Sequence, residues 1–144
     1  MSKNIYIYTD GACRGNPGPG GWGALLECGE YRKEIKGNSQ LTTNNIMELT
    51  AVIEALKLIK NSSSIIITTD STYVKNGITE WIHNWKLKGW RTANKKPVKN
   101  KSLWIDLDEI SQKHSIEWKW IKGHTGHFGN EKADELANAA IDEL

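Results

Sequence analysis

Two short β-rich runs in the sequence each end in a Thr-Asp pair, and a helical segment lies between them. The runs are residues 5–10 (IYIYTD) and 65–70 (IIITTD), whereas the apolar side chains of residues 45–60 recur with a helical period. A helix that connects two strands is the usual crossover that lets the strands lie parallel. Asp10 and Asp70 would then emerge together at the carboxyl edge of the sheet, where open α/β folds place their sites. The pattern predicts an α/β fold.

The remaining segments complete this sheet. Residues 22–27 and 31–36 resemble two more strands, which follow a turn cluster at residues 15–21 and are joined as a hairpin around Gly29. Asn45, with Glu48 three residues later, is compatible with a capped start of the first helix, and Ser71 can cap a second helix that runs to about residue 80. Further helices are predicted at residues 81–88, 102–113 and 131–144, and a strand at 116–121. We therefore predict one domain over residues 1–144, with a five-stranded mixed sheet (three antiparallel strands, then parallel strands) and helices on both faces.

Charge is distributed unevenly along the chain. The net charge is +2, yet residues 86–101, called the basic segment below, carry +7 without an acidic residue, so the remainder carries −5. Such a concentration of cations favours a partner that bears phosphates. The sequence has no apolar run long enough for a membrane span and no secretory signal pattern, and Cys13 and Cys28 are its only cysteines. We expect a cytoplasmic protein whose thiols are reduced, although the sequence does not exclude a disulfide.

Two further carboxylates lie at the borders of apolar helix faces. On a helical wheel Glu48 falls about 20° from Ile59, and Asp134 lies equally near Ile141, so both can point toward the sheet. Each acidic residue alone has an ordinary explanation in turn or helix-end chemistry. Four carboxylates at one place would repel one another by several kcal/mol (~4 for one pair about 4 Å apart) and would need cations. Ligands that are all oxygen favour Mg²⁺ or Mn²⁺, and two such ions can act together on a phosphodiester.

Eight motifs in register resemble ribonuclease H of the bacterial type 1. They are TDGAC at 9–13, GNPGPGG at 15–21, TNN at 43–45 with MEL at 47–49, TDS at 69–71, WIHNW at 81–85, KKPVKN at 95–100, GHTGH at 123–127, and NEKADELA at 130–137. The resemblance implies the ribonuclease H-like fold and Mg²⁺-dependent endonucleolytic hydrolysis of the RNA strand of RNA–DNA hybrids, which leaves 5′-phosphate and 3′-hydroxyl ends. Mn²⁺ is a plausible substitute.

The resemblance also implies a role for each site residue. Asp10 would bridge two metal ions, Asp134 would help to hold the ion that activates water, and Glu48 and Asp70 would help to hold the ion at the leaving oxygen. His124 would assist proton transfer or product release, since an imidazole titrates near neutral pH. The expected catalytic residues are therefore Asp10, Glu48, Asp70, His124 and Asp134.

Substrate contacts form the second implied set. Minor-groove contacts are expected from Cys13, Asn16, Asn44 and Asn45, contacts to a DNA phosphate from Thr43 and Asn100, deoxyribose contacts from Trp81, Trp85 and Trp104, and phosphate contacts from Lys95, Lys96 and Lys99. The 2′-hydroxyl, which both donates and accepts hydrogen bonds, is what such contacts must distinguish. Leu41, Ile46 and Thr72 depart from residues that are common in bacterial relatives, so they put the detail of these contacts in question.

Three other interpretations remain open at this stage. The chain could be a junction resolvase or a transposase-like nuclease on the same fold, a non-catalytic module that binds nucleic acid, or a metal-stabilised structural domain. The basic segment and the pair Asn44-Asn45 favour hybrids, and the complete set of acidic residues favours catalysis. We expect a monomer that needs neither a membrane nor an obligate protein partner.

Overall fold

The computed structural model describes residues 4–122 and 127–144. In this part of the chain, five strands and five helices follow one another in the order β1 (Ile5–Cys13), β2 (Gly18–Cys28), β3 (Tyr31–Thr42), α1 (Asn44–Lys57), β4 (Ser64–Thr69), α2 (Thr72–Asn76), α3 (Ile82–Leu87), α4 (Lys101–Ser111), β5 (Ser115–Trp120) and α5 (Phe128–Asp142). One π-helical turn, Gly77–Trp81, joins α2 to α3. Among the described residues, no helix is long and apolar enough to cross a membrane.

The sheet has the strand order β3-β2-β1-β4-β5. β1 pairs with β2, and β2 with β3, in antiparallel fashion, whereas β1–β4 and β4–β5 are parallel. Tyr8 lies beside Thr68 in the parallel register, so Asp10 and Asp70 stand at equivalent places, each two residues further along. The predicted mixed sheet is confirmed, with β1 at its centre.

Helices cover both faces of the sheet. Gly20 and Gly21 are neighbours on β2 and so point to opposite faces. A Cβ at Gly20 would approach Met47 of α1, and one at Gly21 would approach Ala140 of α5. The main apolar core lies on the α1 face, where α1, α4 and the inward residues of the sheet pack together.

Several predicted boundaries were wrong by a few residues. β2 begins at Gly18, inside the predicted turn cluster, and α5 begins at Phe128 instead of residue 131. α1 is capped by Thr43, whose hydroxyl accepts a hydrogen bond from the Ile46 backbone N–H at 3.2 Å, and not by Asn45. The predicted cap of α2 at Ser71 is confirmed by a bond from the Val74 N–H at 3.1 Å.

Candidate active site

Asp10 and Asp70 meet because their strands are parallel neighbours. Asp10 is 4% exposed within β1, and Asp70 directly follows β4 and is half-buried. Together with Glu48 they form a cluster in which one oxygen from each carboxylate lies within 4.8 Å of the other two. The three side chains come from β1, α1 and the β4–α2 turn, so the predicted convergence at the sheet edge is observed.

Gly11 allows α1 to approach β1 closely enough to deliver Glu48. A Cβ at position 11 would lie 2.5 Å from the Glu48 backbone nitrogen and 2.7 Å from the Met47 carbonyl carbon, distances that real side chains do not adopt. The Gly11 N–H also donates to Asp10 Oδ1 at 2.9 Å. Glycine at position 11 therefore allows the buried carboxylate of Glu48 to lie beside that of Asp10.

The cluster is electrostatically unfavourable without a counter-ion. Burial raises the pKa of Asp10 to about 8, with further contributions from the charge of Asp70 and from a hydrogen bond to Asp134. Burial also raises the pKa of Glu48 well above its ordinary value, and the charges of Asp10 and Asp70 act in the same direction. Both shifts mean that the ionised forms of these carboxylates are disfavoured unless a positive charge lies close by.

Asp134 approaches the cluster from the face of the sheet that α5 covers, opposite to the face that α1 covers. Strand alternation puts Asp10 on the same side as Tyr8, whose ring stacks near His127 at the start of α5 with 5.3 Å between centroids. Asp134 lies half-buried in the second turn of α5, close enough to Asp10 to raise the pKa of that residue, and its Oδ1 accepts from Asn138 Nδ2 at 3.3 Å. Asp134 thus lies next to the cluster of Asp10, Glu48 and Asp70, on the side of Asp10.

The donors of this cluster fit a divalent cation. Glu48 Oε2 is fully buried and has no hydrogen-bond partner among the described residues, which leaves a carboxylate oxygen available to a cation. Oxygen-only ligand sets suit Mg²⁺ and Mn²⁺ better than softer metals. Asp10, Glu48 and Asp70 can hold such an ion, and Asp134 is placed to join Asp10 in holding a second one.

Predicted minor-groove residues gather beside the end of β1. Asn16 Oδ1 accepts from the Asn44 backbone N–H at 3.0 Å, which ties the β1–β2 loop to the start of α1. Cys13 Sγ lies 2.8 Å from the Gly15 carbonyl oxygen and 3.4 Å from that of Thr42, and the cysteine is a free thiol, as expected. The structure thus brings Cys13, Asn16, Thr43 and Asn44 to one surface; Asn45 lies half-buried in the first turn of α1.

Five aromatic side chains pack against one another between the surface and the core and are here called the aromatic cluster: Tyr73, Trp81, Trp85, Trp90 and Trp104. Trp81 and Trp85 are half-buried and lie 5.8 Å apart, so each keeps an accessible edge. The prediction that Trp104 contacts substrate directly was wrong, because its side chain is 0% exposed and belongs to the apolar core. Its ring packs where only a glycine fits on the π-helical turn, since a Cβ at Gly77 would overlap it.

Backbone hydrogen bonds give the basic segment a defined shape. Thr92 N–H donates to the Lys96 carbonyl at 2.8 Å and Val98 N–H to the Trp90 carbonyl at 3.2 Å, while the Val98 side chain is buried. Lys95, Lys96 and Lys99 are exposed. Lys86, by contrast, pairs with Asp108 at 3.2 Å. The segment therefore presents free cations on a hairpin-like loop that the aromatic cluster anchors.

Some functional residues and contacts lie beyond what the sequence indicated. His124 falls in residues 123–126, outside the described residues. Tyr73 was missed: its hydroxyl accepts from Asn100 Nδ2 at 3.1 Å and from Trp104 Nε1 at 2.9 Å. Trp120 was also missed, although its indole N–H donates to the Asp70 carbonyl at 3.2 Å. Both residues lie close to Asp70, and the sequence could have indicated this. Tyr73 follows Asp70 by three residues, and Trp120 lies beside Thr69 in the parallel register of β4 and β5.

Comparison with known proteins agrees with this geometry. A family model described as RNase H matches residues 2–142. Ribonuclease H of Hydrogenovibrio crunogenus is 61% identical over 142 residues, which is 99% of this chain and 98% of that protein. The crystal structure of LC9-RNase H1, a type 1 RNase H with the type 2 active-site motif, superposes with a TM-score of 0.89 at 34% identity, covering 99% of this chain and 74% of that one. The crystal structure of LC11-RNase H1 in complex with an RNA/DNA hybrid has a TM-score of 0.71 at 27% identity, covering 96% and 97%. The chain belongs to the RNase H family.

Proposed function

We propose that this chain is an endonuclease that hydrolyses the RNA strand of RNA–DNA hybrids with Mg²⁺, leaving 5′-phosphate and 3′-hydroxyl ends. The observation that carries the proposal is the convergence of Asp10, Glu48 and Asp70 within 4.8 Å, with Asp134 in contact with Asp10. Bound divalent ions would stabilise the negative charge of the phosphodiester and lower the pKa of water that attacks it. Mn²⁺ would substitute for Mg²⁺.

The position of each residue indicates its role in binding the metal ions or in moving a proton. Asp10 and Asp134 would hold one ion and Glu48 and Asp70, with Asp10, the other. The raised pKa values of Asp10 and Glu48 support this use, because they indicate negative charges without compensation, which a bound cation would supply. His124 would move a proton near the leaving or attacking oxygen.

Strand discrimination would come from the two surfaces on either side of the carboxylates. The polar group of Cys13, Asn16, Asn44 and Asn45 offers the donors and acceptors that a ribose 2′-hydroxyl can use. The exposed edges of Trp81 and Trp85 offer apolar contact for deoxyribose, Thr43 and Asn100 would bind a DNA phosphate, and Lys95, Lys96 and Lys99 would bind backbone phosphates.

The test is cleavage of matched duplexes with labelled strands. An RNA–DNA hybrid, a duplex RNA and a duplex DNA of the same sequence are incubated with the protein in Mg²⁺ or in EDTA. We expect cuts in the RNA strand of the hybrid alone, and only in Mg²⁺. Full activity in EDTA would overturn the proposal.

The same panel tests the other candidates. A junction or transposase-type nuclease on this fold would cut DNA, and a non-catalytic binding module would shift the hybrid in a gel without cutting it. The exposed cations of the basic segment favour the hybrid nuclease over a structural metal domain, which would not need them. We also expect a single-domain monomer that acts in the cytoplasm.

A further inference from the structure

Trp120 makes a contact with the backbone of a carboxylate residue. It is the last residue of the edge strand β5, and its indole N–H donates to the Asp70 carbonyl oxygen at 3.2 Å. That carbonyl lies between β4, which ends at Thr69, and α2, whose first helical bond runs from the Lys75 N–H to the Ser71 carbonyl. Within residues 4–122 and 127–144, no regular element therefore holds the Asp70 carbonyl, and Trp120 supplies its partner.

The end of β5 fixes the peptide groups on both sides of Asp70. The Ile121 N–H donates to the Thr69 carbonyl at 3.0 Å, just before Asp70. The Ser71 N–H donates to Thr69 Oγ1 at 3.1 Å, and Trp120 holds the Asp70 carbonyl, just after it. Because peptide groups are planar, fixing both of them fixes the two dihedral angles of Asp70 and the direction of its Cα–Cβ bond. The carboxylate is thereby aimed by contacts that do not touch its oxygens.

The indole is itself held in place by a cation. Lys75 Nζ lies 4.7 Å from the centroid of the Trp120 ring, in the geometry of a cation–π contact. Trp120 is 39% exposed, so part of its ring faces solvent and the contact with Lys75 adds to the packing that orients it. Trp118, two residues earlier on the same face of β5, packs instead against the core and makes no indole hydrogen bond among the described residues.

We propose that Trp120 is a positioning residue for Asp70, and that Lys75 keeps its indole in the orientation that this requires. The inference rests on the proposed function, in that Asp70 is taken as a metal ligand. Loss of the indole N–H would then weaken divalent-ion binding, while contacts with the nucleic acid stay intact. Partners that orient a ligand from outside the coordination sphere are general features of metal sites.

The experiment compares Trp120→Phe, which keeps an aromatic ring and removes the N–H, with Trp118→Phe as the matched control. Mn²⁺ affinity is measured by electron paramagnetic resonance on the full chain without nucleic acid. The Mg²⁺ concentration for half-maximal cleavage and the KM for hybrid at saturating Mg²⁺ are measured alongside. For Trp120→Phe we expect about five- to tenfold weaker Mn²⁺ binding, as for the loss of one hydrogen bond, a matching rise in the Mg²⁺ requirement and a KM within about twofold of the parent.

The outcomes separate this proposal from the proposed function. Unchanged Mn²⁺ affinity in Trp120→Phe, or equal losses in Trp120→Phe and Trp118→Phe, would overturn the positioning role while leaving hybrid cleavage by the parent protein in place. If the parent protein cleaves no hybrid, the proposed function fails, and the Mn²⁺ titration still decides the role of Trp120. Lys75→Met changes an exposed residue and should weaken Mn²⁺ binding by a smaller factor than Trp120→Phe. Unchanged Mn²⁺ affinity in Lys75→Met would refute the role proposed for Lys75.

Discussion

The carboxylate cluster and the basic segment carry opposite charges, and the fold treats them in opposite ways. Asp10 and Glu48 are 4% and 5% exposed and arrive from different elements, so their repulsion is built into the packed interior. Lys95, Lys96 and Lys99 lie exposed on one hairpin-like loop, where water screens them. A buried charge lowers the stability of the fold but can bind a metal ion, whereas an exposed charge has little effect on stability and attracts a charged partner. Changes in the first region should therefore alter rate and stability together, and changes in the second should alter binding alone.

Removing one buried charge should have the largest effect. Asp10→Asn should lower kcat by at least about 10³-fold, since it removes the carboxylate that touches every other member of the cluster. It should also raise the melting temperature in EDTA above about pH 4, because folding no longer buries a carboxylate whose ionised form is disfavoured there. Rate measurements and thermal unfolding check both results, with the exposed Asp106→Asn as the control. A variant that lost activity and stability together would contradict this view of the cluster.

The pH dependence of stability should reveal the same buried charge. Folding raises the pKa of Asp10 from 3.8 to about 8, so the folded chain binds this proton more tightly than the unfolded chain. The resulting stabilisation is complete below about pH 4 and is lost as the pH rises through about 8. In EDTA, the melting temperature of the parent protein should therefore fall relative to that of Asp10→Asn between about pH 4 and about pH 8, and Mg²⁺ should restore it. Parallel curves for the two proteins would refute the shift.

Neutralising the exposed cations should alter binding only. With Lys95, Lys96 and Lys99 all changed to Gln, KM should rise about tenfold and kcat should stay within about twofold, as expected for exposed charges. The slope of log KM against log salt should fall by about two to three, one unit for each lost phosphate contact. The same changes at Lys33, Lys60 and Lys113, which are also exposed but lie outside the basic segment, are the matched control. An equal effect in the control would show that only net charge matters.

The link between the two regions should give the smallest effect. Tyr73→Phe keeps the ring of the aromatic cluster but leaves Trp104 Nε1 and Asn100 Nδ2 without their shared acceptor. The free energy of unfolding should fall by about 1–3 kcal/mol, because a buried donor becomes unsatisfied, and KM should rise about threefold with kcat unchanged. Denaturant unfolding and steady-state kinetics measure these effects. Tyr31→Phe, at an 82% exposed position, should change neither.

The carboxylate cluster was largely predictable from the sequence because its placement follows from periodicity. Parallel strands with matching Thr-Asp ends bring Asp10 and Asp70 together, and a helical wheel places Glu48 and Asp134 at the borders of buried faces. What failed depended on contacts between distant elements. Trp104 looks like its neighbouring tryptophans in the sequence, but only the space above Gly77 decides that it is core. Thr43 caps the N-terminus of α1 because β3 continues to Thr42. Residue preferences alone do not specify where β3 ends.

The central claim is that these carboxylates hold a divalent ion against the phosphodiester that is cut. A hybrid that carries sulfur in place of one non-bridging oxygen, at a single RNA phosphodiester, tests this directly. Sulfur binds Mg²⁺ poorly and softer Mn²⁺ better. We predict that cleavage at this position slows in Mg²⁺ and recovers in Mn²⁺, relative to the all-oxygen hybrid. Equal slowing in both metals would contradict the claim.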